Sequence, residues 1–327
     1  MQVTLGEIET TAKAALMKHG AEQWIAGEVA AAVREAEGLG NRICGLYYLE
    51  SYCQQLRTGR VKGDAVPEVR KPRPGVVEVD AKFGFAQAAF SKALPEAVKA
   101  AKEMGTISLA VCHAHTCTSL GYFTAQIARA GFIVLGMTNA TPVVAPPGGK
   151  SRVIGTNPIS FAVPDGKGGV AMLFDQSTTT VALGKITMAK AAGETIPEGW
   201  AVDADGKPTT DPEAALKGSL VSMGGYKGWG FGLMAELLAA GMTGSRAGVD
   251  LGPLKAPDGD PHDIGDFYLI VDPDVSGGAF FDRLTQVSGA VQRDERARMP
   301  GQARAVQDPV NVDPDAWALA QRLAGAD

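Results

Sequence analysis

Apolar side chains recur at Leu5, Ile8, Ala12, Ala15 and Leu16. That three-and-four spacing predicts an amphipathic helix over 4–19, stopped by Gly20. Trp24, Ile25, Val29 and Val33 predict a second helix over 21–38, closed by Gly38. Leu46, Leu49, Cys53 and Leu56 share one face of a third, expected over 43–57. This helical stretch ends at the turn-rich Pro72-Arg73-Pro74-Gly75.

The pattern then changes to short β-branched runs separated by helical spacing. Strands are expected at 76–80, 106–111, 133–138 and 170–175, with helices over 85–104 and 119–130 between them. Such alternation indicates an α/β fold with a partly parallel sheet. A Gly-punctuated helix follows over 226–242, then a late strand at 267–272 and helices over 276–294 and 314–324. No repeat of 20–50 residues is visible.

The 327 residues suggest about two domains. Lys and Arg total 31 against 36 Asp and Glu, so no basic excess points to a nucleic-acid partner. No apolar run approaches the roughly 18–20 residues of a membrane span, and the N-terminus lacks the pattern of a secretory signal. A cytoplasmic protein is therefore expected. Cys44, Cys53, Cys112 and Cys117 fit no paired zinc spacing and read as reduced thiols. The acidic loop Asp258–Asp263 lacks EF-hand spacing, so no metal is expected. The 41 glycines, with no accompanying repeat, imply many tight turns and close backbone approaches.

Gly-x-Gly-x-x-Gly does not follow the first strand, and Gly228-Trp229-Gly230-Phe231-Gly232 sits in helical spacing. This argues against a standard dinucleotide fingerprint. No Walker loop, His-Glu-x-x-His or Gly-x-Ser-x-Gly is present. Three longer stretches carry more: Asn139–Gly149 continuing into Gly155-Thr156-Asn157-Pro158, Ile196–Pro212, and Gly224-Gly225-Tyr226-Lys227-Gly228. Together, in register over about residues 5–304, they resemble the type-2 malate/L-lactate dehydrogenase family, also called malate/L-sulfolactate dehydrogenase-like.

The resemblance implies NAD(P)H-dependent reduction of a small 2-oxo acid, or of a cyclic imino acid in one branch. It also implies a non-Rossmann NAD(P)-binding mixed-sheet domain, here 76–227, beside a largely helical dimerisation unit formed by 1–75 and 228–327, and a homodimer. A catalytically lapsed nucleotide-binding homologue is the third reading, because the reactive positions are altered. The family's Ser-His-Gly signature with a downstream Arg matches Ile43–Tyr48: the proton-donating His falls on Cys44 and the carboxylate-binding Arg on Tyr48. The imino-acid branch's Asp falls on Lys185, and its substrate-contacting Thr on Thr156. Ser-x-His-Phe-Gly matches Ala114–Thr118, with a His one place early at His115.

The catalytic set so implied is Cys44, Tyr48, His115, Thr156 and Lys185. The cofactor set is Thr116, Cys117, Thr118, Ser119, Leu120, Asp175, Gln176, Ser177, Tyr226, Lys227, Arg298, Pro300, Gly301 and Gln302. Each has a plainer reading. Cys44 also suits a small buried helix position, Asp175 a helix cap and Lys227 a solvated charge. Lys150 and Arg152 stand as partners for a 2′-phosphate or as surface charges. His113 ranks below His115 as a pocket residue, and His19 and His262 read as structural or surface. A positioned acid is worth roughly 10²–10⁴-fold to carbonyl reduction. Replacing it should matter less for a protonated imine, which brings its own proton.

Overall fold

The computed structural model describes residues 1–275, 277–302 and 305–325. It opens with β1 (Gln2–Val3), α1 (Leu5–Lys18) and α2 (Gln23–Gly38). Thr4 caps α1 by accepting from Glu7 N at 3.2 Å, while the Glu7 carboxylate accepts from Thr4 N at 2.8 Å. This reciprocal pair fixes the helix start. The expected helix over 43–57 is shorter: Arg42–Cys44 and Leu46–Tyr48 are 3-10 turns, and α3 runs Leu49–Thr58. The break is at Gly45, where a methyl group would lie 2.2 Å from Glu37 Oε1. The buried Glu37 instead accepts from Leu46 N at 2.8 Å, so chain and carboxylate meet where only glycine fits.

Next come β2 (Glu68–Arg73), β3 (Val76–Asp80), α4 (Ala86–Met104), β4 (Thr106–Ala114), α5 (Leu120–Arg129), β5 (Ile133–Thr138), β6 (Ile159–Pro164) and β7 (Val170–Gln176). Then follow α6 (Leu183–Ala192), β8 (Ala201–Val202), β9 (Pro208–Thr209), α7 (Pro212–Lys217), β10 (Ser219–Leu220) and α8 (Tyr226–Glu236). The last elements are β11 (Ile264–Val271), α9 (Phe280–Val291), β12 (Val310–Asn311) and α10 (Pro314–Ala324). The helix expected over 226–242 ends as α8 and continues as a π turn, Leu237–Gly241.

A seven-stranded mixed sheet carries the fold, in the order β2-β3-β4-β11-β5-β6-β7. Only β3 and β4 are parallel. The late strand β11 therefore lies mid-sheet, with Phe267 opposite both Ala110 and Met137. Residues 264–271 thus belong to the sheet although they fall in the segment expected to be largely helical. Of the Pro72–Gly75 stretch, Pro72 and Arg73 end β2 and Pro74-Gly75 make the turn of the β2–β3 hairpin. α4 and α5 cover one face through Phe90, Ala93, Ala97, Phe123 and Ile127.

The helical unit has its own core, in which Leu5, Ile8 and Leu16 meet Ile25, Leu49, Tyr52 and Trp317. β1 and β12 pair antiparallel and tie the first residues to the C-terminal segment. A small sheet in the order β10-β8-β9 packs with α6 and α7 around Ile154, Ile186 and Leu220. Among the described residues no helix is long and apolar enough to cross a membrane, and no cluster of His, Cys, Asp or Glu is placed to hold a metal.

Candidate functional site

The sheet's functional end lies where β4 runs out. His113, Thr116 and Thr118 adopt φ values of 51°, 43° and 59°, a backbone conformation that costs energy for branched side chains. The segment is held on both sides: His113 O accepts from Phe83 N at 2.8 Å, and His115 N donates to Gly84 O at 2.8 Å. His113 Nδ1 lies 2.9 Å from Asp263 Oδ1.

His115 is fully buried behind the Tyr48–Tyr52 stack. It packs edge-on against Tyr52, Phe85 and His262, with centroids 5.6–6.1 Å apart. Its Nε2 lies 3.0 Å from Gln55 Oε1, while Gln55 Nε2 donates to the Leu254 and Ala256 carbonyls. This network assigns the ring proton to Nε2. Burial, then the charges of His262 and Arg60, hold its pKa well below the usual histidine range. His115 is therefore neutral at physiological pH and acts as a wall rather than a cation.

The open side is built by the two 3-10 turns. Cys44 is half-buried, and its thiol is pushed up to about 12 by burial and by the Asp175 carboxylate, against a hydrogen bond with Asn41. Tyr48 is also pushed up to about 12, by burial and then by Cys44 and Tyr47. Both are thus neutral hydrogen-bond donors. Tyr48 stacks on Tyr52 at 5.9 Å and meets the edge of Tyr47 at 5.2 Å. The Lys255 ammonium, from the loop before β11, stands 3.4 Å from the Tyr47 ring centroid and 5.3 Å from that of Tyr48. Lys185 is exposed in the first turn of α6, and its neighbour Gly184 approaches Ile43.

A groove leads away from Cys44. Asp175, at the end of β7, accepts from Gly121 N at 2.8 Å and from Ser119 Oγ at 3.3 Å, clamping the start of α5. Asn41, Ser119, Gly121, Leu173 and Asp175 line one hollow of about 20 Å³. An adjoining hollow of about 170 Å³ follows the β7 edge to Gly301, with Glu35 and Leu39 of the α2 end lining both. The first admits little more than a water molecule, and the second is the roomier of the two. Pro300 O accepts from Leu173 N at 3.1 Å, laying the C-terminal loop along the β7 edge. Gln302 Oε1 closes that turn by accepting from Met299 N at 3.1 Å, and Arg298 is exposed beside it.

At the far end, Thr178 N donates to Thr156 O and Met223 N to Thr178 O, both at 2.9 Å. These bonds set Gln176 and Ser177 beside the start of α8, where Tyr226 and Lys227 are exposed. Gly224 and Gly225, with φ of 60° and 64°, deliver the chain into α8 without a side-chain cap.

The expected residues therefore divide. Asp175, Ser119 and Gly301 share the groove, with Pro300 and Gln302 in the adjoining turn. Cys44 and Tyr48 are near neighbours, while Cys117 and Leu120 lie in the core. Thr116 is buried, and Thr118 N donates to its hydroxyl at 3.3 Å. Arg152 donates to the Gly218 and Leu216 carbonyls at 2.7 Å. The motif residue Asn157 serves the frame: its Nδ2 donates to Glu236 Oε2 at 2.8 Å, and Glu236 Oε1 accepts from Gly248 N at 2.6 Å. Sequence reasoning missed Gln55, Arg60, Glu236 and Lys255.

Comparison with known proteins follows the same outline. The malate/L-lactate dehydrogenase family model matches residues 3–309. A (2R)-3-sulfolactate dehydrogenase (NADP(+)) of Chromohalobacter salexigens is 38% identical over 302 residues, 92% of this chain and 90% of the relative. A Delta(1)-pyrroline-2-carboxylate reductase of Ancylobacter novellus is 33% identical, covering 93% and 90%. Among solved structures, the delta1-piperideine-2-carboxylate reductase of Pseudomonas syringae pvar. tomato superposes with a TM-score of 0.91 at 29% identity, covering 99% of both chains.

Proposed function

The chain belongs to the malate/L-lactate dehydrogenase family, and on that premise we propose that it is an NAD(P)H-dependent oxidoreductase reducing a small 2-oxo acid to its 2-hydroxy acid. The observation that carries this reading is the pair of neutral donors, Cys44 and Tyr48, with Cys44 beside Asn41 and Asp175 of the groove. The residues also fit the cofactor. The uncapped amides of Tyr226, Lys227 and Gly228 and the exposed Lys227 suit a pyrophosphate. The small and apolar side chains of Ala36, Leu39 and Leu173 suit a flat ring.

When bound, the reduced nicotinamide supplies hydride to the carbonyl carbon. Tyr48 donates to the carbonyl oxygen and gives up its proton as alkoxide character develops. Its pKa of about 12 lies below that of the product alcohol, taken near water's ~15.7, so the transfer of the proton to the developing alkoxide runs downhill. Cys44 donates a second hydrogen bond from the same side. Asp175 fixes the start of α5 and so the shape of the groove.

Because neither donor titrates in the neutral range, kcat with a 2-oxo acid should be level from about pH 6 to 9. A His-type limb near ~6.5 would contradict this. Tyr48→Phe should lower kcat by about 10²-fold, read as NADPH or NADH oxidation at constant cofactor affinity. One observation favours a cyclic imine as second substrate class: the Asp175 carboxylate is close enough to Cys44 to raise its pKa and would balance an iminium charge. Imine reduction should rise toward low pH and tolerate Tyr48→Phe. Cofactor binding without turnover of either class would favour the non-catalytic reading.

On the same reading, the large sheet with α4 and α5 is the cofactor domain, and α1–α3 with α10 form the helical unit. A second copy of the chain covers the apolar surface left by Phe231, Leu237 and Met242 along α8 and its π turn, each at least half exposed. Light scattering should then give twice the 33.9 kDa chain mass; a monomer at micromolar concentration would remove this part of the reading.

A further inference from the structure

Among the described residues, Lys255 is a cation seated over the Tyr47–Tyr48 pair with no carboxylate within ion-pair distance. Its ammonium lies over the faces of Tyr47 and Tyr48, which attract it only weakly at an exposed site. The nearby Asp260 carboxylate is taken by Arg246 at 3.3 Å.

The backbone around Lys255 is pinned on both sides. Arg60, 3% exposed, donates from Nη1 to the Leu254 and Ala256 carbonyls at 2.9 and 2.7 Å. It also donates from Nη2 to Pro253 O at 2.9 Å and from Nε to Asp260 O at 3.1 Å. Gln55 donates to the same Leu254 and Ala256 carbonyls, and Thr58 to Pro257 O at 2.7 Å. Three side chains of the α3 region thus anchor a Pro/Gly-rich loop that contributes little regular structure of its own. What that anchoring holds in place is Lys255, above the Tyr47–Tyr48 pair.

We propose that Lys255 binds the carboxylate of the small acid substrate, supplying from the 253–260 loop the positive charge that the neutral Tyr48 cannot. The inference rests on the oxidoreductase reading for the identity of the acid. The anion sits on the ammonium and leaves the single Tyr48 hydroxyl proton for the carbonyl oxygen, so the acid is bound by one charge at its carboxylate and one hydrogen bond at its carbonyl. Its carbonyl is thereby turned toward Cys44. Lys185, exposed and without an aromatic seat, does not compete for this role.

The test measures binding apart from turnover. Oxamate, a non-reducible 2-oxo acid analogue, is titrated calorimetrically into the NADH- or NADPH-loaded protein and into Lys255→Met and Lys255→Arg. Affinity should fall about 10- to 100-fold in Lys255→Met, the range of a charged hydrogen bond. Lys255→Arg should recover most of it, and cofactor affinity and Tm should stay unchanged. In turnover, KM for the acid should rise while kcat changes little. Oxamate affinity in Lys255→Met within threefold of wild type, or no binding to wild type, would overturn the inference. Lys255-dependent oxamate binding without reduction of any 2-oxo acid would leave the inference standing and count against the 2-oxo acid reading.

Discussion

An Arg60→Met variant is expected to lose about 3–5 kcal/mol of stability and to release the 253–260 loop. Four backbone carbonyls, of Pro253, Leu254, Ala256 and Asp260, accept from this one buried guanidinium. Methionine keeps much of the stem volume but offers no donor. Each charged hydrogen bond is worth about 1.5–3 kcal/mol when lost, but water can reach an exposed loop and restore part of that. The net cost is therefore smaller than four separate losses.

Urea unfolding would measure the loss, and hydrogen exchange would localise it to the loop and to α3. Two further readouts follow from what the guanidinium faces. Its charge helps hold down the pKa of both His115 and His262, so both rings should titrate higher in the variant. Oxamate binding should weaken as well, since Lys255 loses its seat. A variant within about 1 kcal/mol of wild type, with the loop still protected, would show that the loop orders itself without Arg60.

The contrast between Arg60 and the motif residues shows what the sequence could reveal. Helices such as α1 and strands such as β5 were legible because each buries one face and the period survives in the residue order. β2 was not, because only Val69 among its six residues is even partly buried. α6 was not, because Ile186 is its single buried residue. Gly45 reads like any helical glycine until Glu37, eight positions earlier, occupies the space of its missing side chain.

The site divides the same way. Asp175, Pro300 and Gly301 are singled out by local motifs and stand together along β7. Gln55, Arg60 and Lys255 work through contacts between α3 and a loop nearly 200 positions later, and no local spacing records such a pairing. The strand β11 was legible as a strand, but its place between β4 and β5 was not, because insertion into the middle of a sheet leaves no periodic signal.

The second large effect concerns Asp266, on that central strand. Its side chain is fully buried, neither carboxyl oxygen has a hydrogen-bond partner, and burial pushes its pKa up to about 7, with Thr138 opposing only in part. The folded protein therefore holds a proton on Asp266 that the unfolded chain, near 3.8, has released. Stability from this group is complete below 3.8 and is lost as pH rises to about 7. Over that window of about three pH units, at 1.36 kcal/mol each, the loss is about 4 kcal/mol.

His262 works in the opposite sense. It is held at about 4 by burial and then by Arg60, so its contribution is present above 6.5 and lost as pH falls toward 4. His115 has the same sign. Two histidines against one aspartate give a stability that climbs from about pH 4, peaks near 6.5 and falls slightly beyond. Asp266→Asn removes the aspartate alone. The amide still leaves a buried polar group without partners, so the variant gains nothing at pH 4. From about pH 4 to 6.5 its stability should rise more steeply than that of wild type and then level, while wild type falls between 6.5 and 7, so that the gap opened since pH 4 reaches about 4 kcal/mol at the alkaline end. Urea midpoints taken every half unit would trace both curves. Parallel curves across that range would mean that Asp266 is ionised in the folded protein at pH 5, and that some group near it supplies the missing hydrogen bonds.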